Sequence, residues 1–329
     1  MHRAMTLTRR AFVAGLAATP ALGRLSLRAA QAAVLPFSYP IGVPGKIAGD
    51  GFFIRIGYAC ENAAYYPGWW HTGENWRAVA GDTFGAEVYA VADGVVAFAD
   101  SDYPGRVVIV RHAADLYSMY GHLDYALDVA VGQQVTRGQR LGTVLRRSDE
   151  PGRSHLHFEL RAFYIRDDVN GTSPQYGVHC GYECPPGPGY WPMNAPAHPS
   201  DLGWRNPTHV IARRAFSAGV APSGTEAIVP RAADASTRVY SEPVGESSSQ
   251  PTGELALAPG DHHPLLEIRA GPEDDRGTSA EAYSLWYRLA LPDGGSGWVQ
   301  ATVPSNVEVG SDGRSAAVGF NLMPVVTDG

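Results

Sequence analysis

Four of the eleven histidines in this chain of 329 residues stand in three short phrases: His71-Thr-Gly-Glu-Asn75, Tyr-Gly-His122-Leu and Ser-His155-Leu-His157-Phe-Glu-Leu. The third phrase alternates with period two. Leu156, Phe158 and Leu160 therefore fall on one strand face, and His155 and His157 share the other. Two imidazoles side by side on a strand are poor core material, but neutral imidazole is the commonest protein ligand for metals. A hydrolytic zinc centre needs about three protein ligands and one open position for water. His71, Asn75 and His157 can supply the three, which leaves His122 and His155 for proton transfer. The plainer alternative is a set of surface histidines on a β-protein. It would be the default for a lone His-X-His, and the two other phrases weigh against it.

The stretch from His71 to about Arg161, with flanks reaching roughly from 50 to 215, resembles the lysostaphin-type zinc metalloendopeptidases, which cut peptide cross-links in bacterial cell walls. That family is marked by His-X-X-X-Asp and His-X-His. Between them this chain carries Gly-Ala-Glu-Val-Tyr-Ala-Val-Ala-Asp93-Gly94-Val-Val and Val-Gly-Gln-Gln-Val-Thr-Arg-Gly-Gln-Arg-Leu-Gly142, and later Gly203-Trp-Arg-Asn-Pro207, all of which match. The resemblance implies that the first motif and His157 bind zinc and that His122 and His155 serve the reaction. It also implies an all-β fold of the duplicated hybrid motif type, two antiparallel sheets with zinc on the floor of a groove. The chain departs from the pattern at Asn75, where the family has aspartate. An amide oxygen can ligate zinc but is a weaker, neutral donor, so the metal should be held more loosely and its water acidified at least as strongly. Glu74 is expected to point elsewhere.

The expected activity is an exported zinc metalloendopeptidase acting on peptidoglycan stem peptides or cross-bridges. In it, His155 is the candidate general base, and His122 would stabilise the oxyanion or protonate the leaving amine. Glu159 shares a face with His157 and is a candidate acceptor for its second ring nitrogen. Two alternatives remain open: a metal-impaired relative that binds wall peptides or activates another hydrolase without cutting, and a secreted endopeptidase acting on proteins.

Composition agrees with a globular protein of more than one domain. The net charge of -7 offers no basic footprint for nucleic acid. Thr8-Arg9-Arg10-Ala11-Phe12, the apolar run 13–22 and the small-residue site Ala30-Gln31-Ala32 read as a twin-arginine export signal over 1–32, an ordinary secretory signal being the alternative. The apolar run is too short to span a membrane, so no transmembrane anchor is expected in the mature chain. Three cysteines suit an oxidising compartment. Cys180 and Cys184 are expected to staple their loop, or one of them to reach Cys60.

A leading segment over 33–50 precedes the metallopeptidase domain, placed at 51–215. Within it, residues 87–91, 95–99, 106–111 and 116–120, two short pieces of 129–144, and 155–161 read as strands, with Asp93-Gly94 as a tight turn between the first two. Residues 166–204 form a long Gly/Pro-rich insertion carrying Tyr176, Tyr182, Tyr190 and Trp191. With Tyr65-Tyr-Pro-Gly-Trp-Trp70 these aromatics either wall a substrate groove or pack irregular loops. A linker is expected at 216–229. Residues 230–308, with Leu285-Trp-Tyr-Arg-Leu289 and Gly297-Trp-Val299, look like a bacterial SH3-like barrel, a module that in envelope hydrolases often holds the enzyme to peptidoglycan. Its His262-His263 pair reads as surface residues, and 309–329 as a tail with an added strand near 316–323.

Overall fold

The computed structural model describes residues 36–44, 46, 48–62, 66–102, 104–147, 154–166, 189–216, 221–243, 250–274, 283–304 and 317–325. The proposed export signal, Cys180, Cys184, Tyr176 and Tyr182 lie outside the described residues. Among the described residues the architecture is all-β with two short helices, Pro199–Leu202 and Pro207–Arg213. Among the described residues no helix is long and apolar enough to cross a membrane.

The largest sheet has ten strands. Its middle is built from the β-branched run Arg106–Ala113, then Leu116–Leu123, Leu156–Arg161, Glu74–Ala78 and Phe52–Ile56, in that spatial order. Valine and isoleucine favour extended backbone because their branched side chains pack well on a pleated surface. The period-two pattern of Leu156–Arg161 sends Leu156, Phe158 and Leu160 into the main core. The opposite face is also covered, and Glu159 and Arg161 are fully buried there. This strand lies centrally, paired antiparallel on both sides, with His157 opposite Asn75 on one side and opposite Gly121 on the other. One register thus lines up all three histidine phrases.

Asp93-Gly94 does not close a hairpin between neighbouring strands. Glu87–Tyr89 belongs to a separate three-stranded sheet, while Gly94–Asp100 joins the large one. The segment between them switches sheets, and it is fixed by long-range bonds: Asp93 Oδ1 accepts from the Arg137 amide at 2.8 Å and the Asp93 carbonyl from the His112 ring at 2.8 Å. Gly94 is needed because a Cβ there would lie 2.6 Å from the Arg111 carbonyl oxygen.

A seven-stranded antiparallel sheet with its own core occupies the C-terminal part. Its strands include Glu226–Ile228, inside the stretch expected as a linker, and Met323–Val325, inside the stretch expected as a tail. The strand Glu226–Ile228 forms because it is paired on both sides, by His262–Ala270 and by Met323–Val325. His262 is exposed against Glu226, whereas His263 is only partly exposed. Val318–Phe320 crosses back to pair with Phe52–Ile56, and Phe320 stacks on Trp76 at 5.5 Å and 12°. Tyr283, Val318, Phe320 and Met323 are all members of the main core.

Candidate metal centre and its flanking imidazoles

Asn75 and His157 are direct cross-strand partners, and His71 ends the strand Tyr66–His71, one turn of chain before Glu74–Ala78. Their polar atoms converge. His71 Nε2 is 3.0 Å from His157 Nδ1, which is 3.2 Å from Asn75 Oδ1. The other ring nitrogens decide what these approaches are. His71 Nδ1 faces the Gly57 carbonyl oxygen at 3.2 Å, and a carbonyl only accepts, so that nitrogen carries the proton and Nε2 is bare. His157 Nε2 faces Glu159 Oε1 at 3.0 Å, so Nε2 carries a proton and Nδ1 is the nitrogen turned toward the cluster. With the neutral His157 tautomer, two ring nitrogens and an amide oxygen would face one another as a donor set for a cation. In a tetrahedral zinc site with bonds of about 2.0–2.1 Å, neighbouring ligand atoms stand about 3.3–3.4 Å apart, close to the spacing seen here. The donor set therefore fits zinc. Burial first, and then the neighbouring His157, lowers His71 to about 3, which keeps it neutral as a ligand must be.

Beneath His157 lies a buried polar network. Glu159 Oε1 also accepts from Thr72 Oγ1 at 2.6 Å, and Oε2 accepts from Trp204 Nε1 at 3.1 Å and Arg161 Nη1 at 3.3 Å. Burial alone would raise the Glu159 carboxyl. The His157 hydrogen bond, the Arg161 charge and the Thr72 hydroxyl outweigh it and hold the group at about 2. Glu74 turns away from the centre and accepts from the Trp76 indole, from the Thr208 amide and from the Thr208 hydroxyl. Burial raises it to about 7.

His122 and His155 meet edge to face at 4.6 Å, and the His122 ring lies 6.2 Å from that of His157. His122 has φ 63, the left-handed region that a non-glycine residue occupies only when its surroundings force it there. Its Nδ1 donates to the Pro104 carbonyl at 3.2 Å, leaving Nε2 bare. Burial and His157 lower it to about 3.

Residues 70–172 match Peptidase family M23. The chain carries an M23 domain. Among curated proteins it is similar to the murein hydrolase activator EnvC of Escherichia coli K12, 44% identical over 89 residues, which are 26% of this chain and 20% of that one. It is also similar to the peptidoglycan DD-endopeptidase ShyA of Vibrio cholerae serotype O1, 40% identical over 80 residues, 23% of this chain and 17% of that one. The chain thus spans about a fifth of the length of these relatives. Among solved structures, the NMR structure of lysostaphin aligns over 84% of this chain and 96% of its own at 13% identity and a TM-score of 0.33. A zinc containing peptidase from Vibrio cholerae aligns over 38% and 36% at 28% identity and a TM-score of 0.27.

Around the cluster of His71, Asn75 and His157 an aromatic shelf is visible. Tyr66 and Tyr190 pack at 4.3 Å and 30°, the Tyr190 ring lies 5.4 Å from His71, and Asn62 donates to the Tyr190 hydroxyl at 2.9 Å. Trp191 instead is buried in the core. Sequence reasoning missed Thr72, Arg161 and Trp204 as supports of the site. Arg161 shares the face of His157 by the same alternation, and that was the available signal. Thr72 and Trp204 are brought in only by tertiary structure. Cys60 is buried.

Proposed function

We propose that this protein is a zinc metalloendopeptidase that hydrolyses peptide bonds in peptidoglycan stem peptides or cross-bridges, working outside the cytoplasm after export by its twin-arginine segment. The observation that carries the proposal is the convergence of two ring nitrogens and an amide oxygen, from His71, His157 and Asn75, with the second nitrogen of each imidazole held by an acceptor behind it. The M23 match and the similarity to a peptidoglycan DD-endopeptidase support the reaction and substrate class. Bound there, zinc would polarise the scissile carbonyl and lower the pKa of a water toward about 7. His122 and His155 handle the protons. Burial, and after it His157, lower His122 to about 3 and keep it neutral, and the Pro104 carbonyl fixes its ring beside His155. His155, partly exposed beside it, is the candidate general base that reaches solvent. The half-buried Tyr66–Tyr190 shelf next to His71 gives an extended peptide an apolar wall.

The separation of roles predicts that His122→Ala and His155→Ala each retain most of their zinc and lose roughly 10²–10⁴-fold in turnover. Metal analysis and muropeptide digestion on the same preparations check this. Undiminished digestion by both variants removes the pair from the mechanism.

A second reading, a wall-hydrolase activator that does not cut, has two observations behind it: the neutral Asn75 in the donor set and the similarity to a murein hydrolase activator. Asn75→Asp distinguishes the two. Aspartate has the same shape and adds a negative charge beside a divalent cation, so zinc should bind at least about tenfold more tightly, worth about 1.4 kcal/mol. Chelator competition reads the affinity. Digestion by the parent and the variant supports the peptidase, whereas tighter zinc with digestion by neither supports the activator. Unchanged affinity means that the side chain at 75 does not touch the metal.

A further inference from the structure

The ring of His71 is aimed by a short strap, Gly57–Cys60. The Gly57 carbonyl accepts from its Nδ1, the Ala59 amide donates to the His71 carbonyl at 2.8 Å, and the His71 amide donates to the Cys60 carbonyl at 2.8 Å. The strap is an awkward stretch of chain, since Ala59 sits at φ 55. At one end it is tied by the Tyr58 hydroxyl, which lies 2.8 Å from Ser200 Oγ and donates to the Trp204 carbonyl at 3.2 Å.

The other tie comes from far along the chain. Tyr283, 225 residues after Tyr58, accepts the Tyr58 amide on its hydroxyl oxygen. Its ring fills the space that a side chain at 57 would need: a Cβ on Gly57 would stand 2.7 Å from both Cε2 and the hydroxyl oxygen of Tyr283. Burial, and after it the charge of Glu74, the residue before Asn75, push this hydroxyl's pKa well above the usual tyrosine value. The Tyr283 carbonyl is in turn held by the Thr302 hydroxyl. Tyr283 is fully buried. Around it, the Asn206 amide donates to the Glu273 carbonyl at 2.7 Å, His209 Nδ1 donates to the Pro272 carbonyl at 2.8 Å, and Arg214 pairs with Glu273 at 3.2 Å.

We propose that Tyr283 is a positioning residue of the metal centre: its hydroxyl and its ring hold the strap that aims His71. The C-terminal β unit therefore completes the metallopeptidase site. The proposal rests on reading His71 and Asn75 as metal ligands. Its physical content is that a strained strap, left without Tyr283, would release the His71 ring while the sheets on either side remained formed.

The test uses the full chain with Tyr283→Phe, which keeps the ring against Gly57 and removes only the hydroxyl. In metal-free protein, amide hydrogen exchange at Ala59 and His71 should quicken by at least about tenfold, while amides of the distant sheet such as Val299 keep their protection. Zinc affinity by chelator competition should fall roughly 10–100-fold, the usual loss when an outer hydrogen-bond partner of a metal site is removed. Gly57→Ala, which drives a methyl into the Tyr283 ring, should give the same local pattern. Unchanged exchange at Ala59 and His71 overturns the proposal. So does a uniform loss of protection across both sheets, which would mark Tyr283 as a general stabiliser of the fold. If the parent takes up no zinc, the peptidase reading fails on that result alone, and the exchange pattern still decides whether Tyr283 positions the strap.

Discussion

His157→Ala should give a folded protein that has lost zinc and peptidase activity together. The side chain turns its Nδ1 toward the cluster, and its neighbours cannot replace it: Gly121 opposite has no side chain, and Glu159 beyond it is engaged by Thr72, Trp204 and Arg161. Removing an outer partner of a metal site usually costs 10–100-fold in affinity, so removing a direct ligand from a set that already contains a neutral amide should cost more than about 100-fold. The fold should survive. Leu156, Phe158 and Leu160 anchor the strand on its other face, and both ladders of backbone bonds are untouched. His71→Ala should empty the site in the same way, with the added loss of the ring that occupies the Gly57 carbonyl. Metal content measured beside circular dichroism checks both. Near-stoichiometric zinc in either folded variant would show that the ligand set is drawn wrongly.

The all-β class and the central strand were readable because period-two alternation is local: a few residues on each side of His157 suffice to assign faces. The turn at Asp93-Gly94 was misread for a related reason. The dipeptide has hairpin chemistry, but the choice between a hairpin and a sheet switch depends on whether the flanking strands pair, and those strands take partners far away in sequence. Register was equally invisible. Asn75 and His157 stand in phrases 82 residues apart, and nothing in either phrase says that they face each other. The tertiary supports had still weaker signals. Thr72 is an ordinary residue inside the first histidine phrase, and Tyr283 belongs to a stretch whose motifs resemble an SH3-like barrel. The strand Val318–Phe320 reads as part of a tail, and its place beside Phe52–Ile56 depends on the core that Trp76 and Phe320 share. Candidate site residues could thus be picked out by type and spacing, while the bonds that aim them arise only from non-local packing.

Glu159 tests that last point most severely, because it serves the fold and the site at once. It is fully buried, its Oε1 holds Thr72 and His157, and its Oε2 holds Trp204 and Arg161, which is buried as well. Glu159→Ala removes the counter-charge of Arg161 and should cost about 3–5 kcal/mol, the range for breaking one side of a buried ion pair. It also removes the acceptor that keeps the His157 proton on Nε2, so zinc affinity should fall a further 10–100-fold or so. Urea unfolding of metal-free protein measures the first effect and chelator competition the second. The double variant Glu159→Leu with Arg161→Met separates them. Exchanging a buried ion pair for apolar side chains of similar volume is often neutral for stability, so the unfolding midpoint should return toward that of the parent. Zinc affinity should not return, since a leucine cannot orient an imidazole. Recovery of both in the double variant would mean that Glu159 only neutralises Arg161, and that His157 keeps its ligating tautomer without help.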